Sequence, residues 1–198
     1  MAKAQGLFVI ALACSLFGPA GLADPMHKYG NAGAYRHEHS GWLFPKQVGD
    51  FTRLGEPYLI DGSSSDIGGE YAQGQNETRV AASVEVYGSD SVASDAQLKN
   101  AKTSAARKAG AAAHLQAEEP FQLRDELSAV KVTYVPEAKA QRSQTRLYFV
   151  TTERWVVKVL ASIGTEDDDA GRTLDAFVRD LPWNTLGVDP GDLLHPGP

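Results

Sequence analysis

The sequence predicts an α+β domain: a mostly antiparallel sheet with helices packed on its faces. Three observations lead there. Apolar and polar residues alternate with a period of two in several short runs. Those runs follow one another on connections too short for parallel crossovers. Two stretches with helical spacing interrupt them, one in mid-chain and one at the end.

The clearest strand is TRVAASVEVY at Thr78–Tyr87, where Val80, Ala82, Val84 and Val86 share one face, with Arg79, Ser83 and Glu85 on the other. Before it, PYLID (Pro57–Asp61) and Glu70–Gln73 read as short strands flanking the loop DGSSSDIGG. GQNE is a tight turn making the second and third strands a hairpin. Val130, Val132 and Tyr134 alternate with Lys131 and Thr133. TRLYFVT (Thr145–Thr151) and RWVVKVLAS (Arg154–Ser162) are apolar on both faces, as central strands covered on both sides should be. Phe121–Leu123 adds a short strand.

The first helix is expected over SDAQLKNAKTSAARKAGAAAHL. Leu98, Ala101, Ala105, Ala109, Ala112 and Leu115 recur at three- and four-residue steps, and Lys99, Lys102, Arg107 and Lys108 take the other side. The second starts at TEDDD, where Thr165 can cap and three aspartates complement the amino-terminal dipole. Ala170, Leu174, Phe177, Val178 and Leu181 form its buried stripe, and Pro182 stops it. TEDDD lacks the glycine and the alternating ligands of a calcium loop.

The chain opens with Lys3, an apolar run from Leu7 to Phe17, a helix-breaking Pro19 and Gly21-Leu22-Ala23. That is the pattern of a secretory signal cut after Ala23, with a run too short to span a bilayer as a helix. ALAC places only Ala11 three before Cys14, where a lipoprotein signal carries a large aliphatic residue, so Cys14 is read as discarded with the signal. Cleavage leaves 175 residues without a cysteine, which excludes disulfides, thiol catalysis and thiolate ligands. It also leaves 18 basic against 25 acidic residues, a formal charge of −7. Nucleic acid and anionic membranes are therefore poor partners. No second long apolar run follows. The organisation is a signal over 1–23, a leader over 24–40 with no sustained period, one domain over 41–183 and a Pro/Gly-rich tail over 184–198. The location implied is periplasmic or secreted.

FPKQVGDFTR at 44–53, a tyrosine-bearing strand, a Gly-rich turn, the strand TRVAASVEVYG, the late strand pair and a helix ending FVRDLPW follow in that order. Over roughly residues 41–183 this order resembles small secreted bacterial proteins of the Mog1/PsbP-like type. The resemblance implies an α/β/α sandwich, and members of that superfamily mostly act by binding other proteins, such as a small GTPase or a photosystem assembly. None of their interaction residues can be matched here, and fold alone does not assign function.

Chemistry-bearing constellations are few. The patterned domain offers only His114 as a histidine base. It lies near the end of the expected first helix, where a protonated imidazole suits the dipole. There is no GxSxG, P-loop or HExxH. Glu118-Glu119 and Asp125-Glu126 read as solvated charge in polar turns beside Pro120. In YRHEHSGW, His37 and His39 share a side only if the segment is extended, with Glu38 turned away. Even with His27 they make a thin ligand set on a leader that must lose entropy to close it. Trp42, Phe44 and Phe51, with Leu43, Val48 and Leu54, are expected to pack the domain entrance onto the core, where Trp155 and Trp183 also belong.

The reading is an exported binding or assembly module without catalytic residues, cofactor or metal site, whose partner is another envelope or secreted protein. Two alternatives stand beside it: a periplasmic metal-binding protein using His37 and His39, and a small enzyme whose site is invisible in sequence.

Overall fold

The computed structural model describes residues 25–30, 33–73, 80–88, 93–124, 126–137, 143–164 and 168–188. The expected signal, the GQNE turn and Thr165 lie outside them, as does most of the tail. Eleven strands are present among the described residues: β1 (Met26–Tyr29), β2 (Ala34–His37), β3 (Leu43–Phe44), β4 (Gln47–Val48), β5 (Phe51–Leu59), β6 (Ile67–Gln73), β7 (Val80–Gly88), β8 (His114–Arg124), β9 (Leu127–Val135), β10 (Ser143–Thr151) and β11 (Trp155–Gly164). Helices α1 (Ala93–Ala109) and α2 (Asp168–Asp180) separate β7 from β8 and follow β11, and a short 3-10 turn covers Trp183–Thr185. Strands β1-β2-β3 form a small sheet, and the other eight a large one in the order β4-β5-β6-β7-β11-β10-β9-β8. Every strand pairing with a resolved register is antiparallel.

Alternation along β7 and the two central strands divides the interior into two clusters. Val80, Ala82, Val84 and Val86 of β7, Tyr148 and Val150 of β10 and Val157, Val159 and Ala161 of β11 gather with the α2 residues Leu174, Phe177 and Val178. Leu147 and Phe149 of β10 and Val156 and Leu160 of β11 point the other way, to Ala101, Ala105 and Ala109 of α1. Both faces of β10 and β11 are thus buried, as their unbroken apolar runs require. The α2 stripe is buried at every expected position, from Ala170 through Leu181. Phe177 stacks on Phe51 with centroids 4.2 Å apart and meets Tyr71 at 5.3 Å.

Four local expectations are corrected. The leader at 24–40 is not without regular structure: β1 and β2 form a hairpin, Met26 opposite His37 and Tyr29 opposite Ala34. The first helix ends at Ala109 rather than Leu115. Gly110 adopts φ 119°, a left-handed conformation that L side chains rarely take, and its N–H donates to the Arg107 carbonyl. The following alanines carry helix propensity, but the chain turns and His114 opens an eleven-residue strand, so the short strand at 121–123 is only the end of β8. Finally, the strand placed at 57–61 is the far end of β5, which begins at Phe51.

Truncating the ring that joins α2 to the core tests this packing. Phe177→Ala is expected to cost about 3–5 kcal/mol, because the cavity between Phe51 and Tyr71 cannot collapse onto a rigid sheet. Urea unfolding measures it. An unchanged midpoint would show that α2 does not close this cluster.

Candidate functional site

The segment YRHEHSGW is a clasp rather than a solvated leader. His37 is fully buried. Its Nε2 lies 2.8 Å from the Ser64 carbonyl oxygen, so this nitrogen carries the proton and donates it. Nδ1 then accepts, from the Ser40 hydroxyl at 2.7 Å and the Ser40 N–H at 3.2 Å. Around it, the backbone closes in both directions. The His37 N–H donates to the Trp42 carbonyl and the Gly41 N–H to that of His37, both at 2.9 Å. The Gly187 N–H reaches the Ser40 carbonyl at 2.7 Å, and Arg36 Nη2 reaches the Val188 carbonyl at 3.1 Å. Gly41 sits at φ 69°, and a Cβ there would lie 2.6 Å from the Thr185 carbonyl oxygen, so no other residue fits this crossing. Trp42 is buried edge-on to Trp183, centroids 5.2 Å apart.

Both ring nitrogens of His37 are thus engaged in hydrogen bonds. His39 is exposed, its ring 5.5 Å from that of His37, and His27 pairs with Glu38 on the surface. Among the described residues, no group of three or more His, Cys, Asp or Glu side chains is placed to hold a metal ion.

The carboxylates are placed differently from their expected turns. Glu118 and Glu119 both lie on β8, where neighbours face opposite ways. Glu118 pairs with Lys102 of α1 at 2.6 Å, while Glu119 pairs with Lys131 at 3.4 Å on the α2 side. Each carboxylate is thus held in its own ion pair. Asp125 lies outside the described residues and Glu126 is in an exposed turn. His114, read as a helix-end residue, is instead the exposed first residue of β8.

One carboxylate is central to packing. Asp175 of α2 accepts from Lys131 at 3.1 Å and from the Tyr148 hydroxyl, with Arg146 at 3.6 Å. Burial, followed by the Asp175 charge, pushes the Tyr148 phenol well above its ordinary range. The group stays neutral and donates, which is a structural role.

Among the described residues, no helix covers the other half of the α1 face. Register carries a row across four strands, from Tyr58 through Gly68 and Glu85 to Lys158, and a parallel row from Leu54 through Glu70 and Ser83 to Leu160. Helix α1 packs over β9, β10 and β11. Leu54 and Tyr58, at the β5 end of those rows, remain 44% and 40% exposed. The Tyr58 hydroxyl donates to Glu70 at 3.0 Å. At the other end Glu85 accepts from the Tyr87 hydroxyl and pairs with Lys158. Sequence periodicity placed Leu54 with the entrance residues of the core. Trp42, Phe44, Val48 and Phe51 do go there, but Leu54 faces outward.

No family model matches the chain, and no curated protein matches it. Among solved structures it is similar to the solution structure of cyanobacterial PsbP (CyanoP) from Synechocystis sp. PCC 6803. The two are 16% identical, the match covers 83% of this chain and 95% of the other, and the TM-score is 0.43.

Two outcomes follow for the clasp. Burial, more than any neighbouring charge, holds the His37 imidazole below its ordinary value near 6.5. His39 pushes the same way, and the Ser64 carbonyl, Asp66 and Glu38 oppose. The unfolded chain takes up this proton as pH falls through about 6.5 and the folded chain only at lower pH, so protons favour unfolding. The stabilisation is complete above that value and is lost as pH falls through the folded value. His37→Gln should flatten the decline of thermal stability between about pH 6.5 and 5, and an unaltered slope would place the titration elsewhere. Deleting residues 24–40 should lower the melting temperature by many degrees. A deletion that leaves melting unchanged would mean that the clasp contributes nothing.

Proposed function

We propose that this chain is an exported, non-catalytic binding or assembly module of the cell envelope or extracellular space, built as an α/β/α sandwich and acting through protein–protein contacts. The observation that carries this reading is the uncovered half-face of the large sheet. Leu54 and Tyr58 stand there on β5, either side of a break in its register with β6, with Glu70 and Glu85 on the neighbouring strands. An exposed Tyr beside an aliphatic residue, on a rigid sheet, is the kind of anchor that protein partners bury. The acidic surround favours a partner with a basic rim. The carboxylates that a hydrolase would need are consumed in separate ion pairs with Lys102, Lys131 and Arg146. Export rests on the signal read over residues 1–23, and no helix among the described residues is long and apolar enough to cross a membrane.

A photo-cross-linking residue at position 58, expressed in the native host, tests the surface. It should join the chain to one envelope or secreted protein, and Leu54→Glu should abolish that product without lowering the melting temperature. Cross-linking that survives Leu54→Glu, or that matches a control probe at Lys99 on the solvent side of α1, overturns the surface. Mass spectrometry of the exported chain should find Asp24 at its amino terminus, and a diacylated Cys14 would overturn cleavage after Ala23.

A further inference from the structure

Helix α1 packs on the sheet through alanines, and the contact does not close. Beneath its first half lies a hollow of about 230 Å³. Its floor is apolar: Phe149, Val156 and Ala101 are each at least nine-tenths buried. A leucine at 101 would fill it, whereas alanine leaves it open. Its wall is polar. The Lys158 ammonium pairs with Glu85 and donates to the Tyr87 oxygen at 3.2 Å, leaving one of its three N–H groups for another acceptor. Gln97 donates its Nε2 to the Gly88 carbonyl at 3.3 Å, which fixes the orientation of the amide. The Gln97 Oε1 is then enclosed and has no hydrogen-bond partner among the described residues. A buried acceptor of this kind is uncommon in folded proteins and marks a place where a donor is wanted.

We propose that this hollow is a binding site for a small, uncharged, single-ring ligand whose edge carries an N–H donor beside a carbonyl acceptor. The ring covers Phe149 and Val156, its N–H meets Gln97 Oε1, and its carbonyl accepts from Lys158. Asn100 and Ser104 at the mouth offer further polar groups to the same edge. Size sets one bound on the ligand. An apolar cavity of about 150 Å³ holds a benzene ring, so this one takes a ring with one substituent. Charge sets the other. Lys158 in the wall repels an ammonium group. Glu85 already balances Lys158, and Asp95 lines an adjoining groove that shares Phe149, so a carboxylate gains no net attraction there. A few convergent polar groups over an apolar floor are the usual make-up of a small-molecule site.

Benzamide is the probe, with toluene, benzoate and benzylamine as comparisons, followed by heteronuclear NMR of the purified protein. Benzamide should shift the resonances of Tyr87, Gln97, Phe149 and Val156 with a dissociation constant on the order of 1 mM or tighter. The three comparison compounds should bind about tenfold more weakly, and Gln97→Leu should remove most of that difference. Ala101→Leu, which fills the hollow, should abolish binding. If that variant does not fold, Ser104→Leu at the mouth should do the same. Absence of localised shifts up to the solubility of benzamide overturns the proposal. Equal binding of benzoate or toluene, or undiminished binding in the filled variant, also overturns it. These readouts do not involve the Leu54–Tyr58 surface, so failure here and failure of the protein-binding reading are separate results.

Discussion

A buried cation, Arg53, ties the two sheets of this protein to each other. Arg53 on β5 is 3% exposed, and no carboxylate pairs with it among the described residues. Its guanidinium instead spreads over three backbone carbonyls. Nε reaches Gly55 on its own strand at 3.0 Å, Nη2 reaches Gly33 ahead of β2 at 2.8 Å, and Nη1 reaches Phe44 of β3. The ring of Tyr35 lies 4.7 Å from its charge centre. Burying a charge is costly unless its donors are satisfied, and here each contact comes from a different segment. Removing the guanidinium would therefore take a donor from three carbonyls at once and loosen the small sheet on β5, where Tyr35 also bonds to Glu56. Everything built from the amino-terminal strands depends on that placement.

The histidine clasp depends on it first. With β2 pinned by Arg53 at one end, His37 is delivered to Ser64 and Arg36 to Val188 at the other. The loop at 61–66, the amino-terminal hairpin and the stretch after α2 are then joined without an apolar core of their own. Polar side chains do this work because each finds its partner in backbone groups that would otherwise be left bare.

That is also why the sequence conceals this part of the fold. The large sheet was legible where burial follows a period: Val80 to Val86 alternate because one face of β7 meets the core, and Leu174 to Leu181 recur at helical steps because one side of α2 does. Strands β1 and β2 are four residues each, and β2 with the turn after it buries Arg36, His37 and Ser40, residue types that pattern reading assigns to solvent. The α1 terminus was hidden by alanines that suit a helix yet follow Gly110. Leu54 and Tyr58 lie on the correct period, but period alone cannot tell which half of a sheet face a helix will cover. Nor can it show that Ala101 leaves space beside Gln97.

The crossing at Gly41 has a mechanical consequence. Pro25 accepts from the Glu38 N–H, and Val188 accepts from Arg36. Two segments far apart in sequence are thus bonded to the same turn, with Gly187 bonded to Ser40 beside them. Tension applied between residues 25 and 188 would load those few bonds first and peel the turn apart before strain reached β10 or β11. For a pull between those two points the clasp behaves as a fuse: it would open under force while the large sheet stays intact.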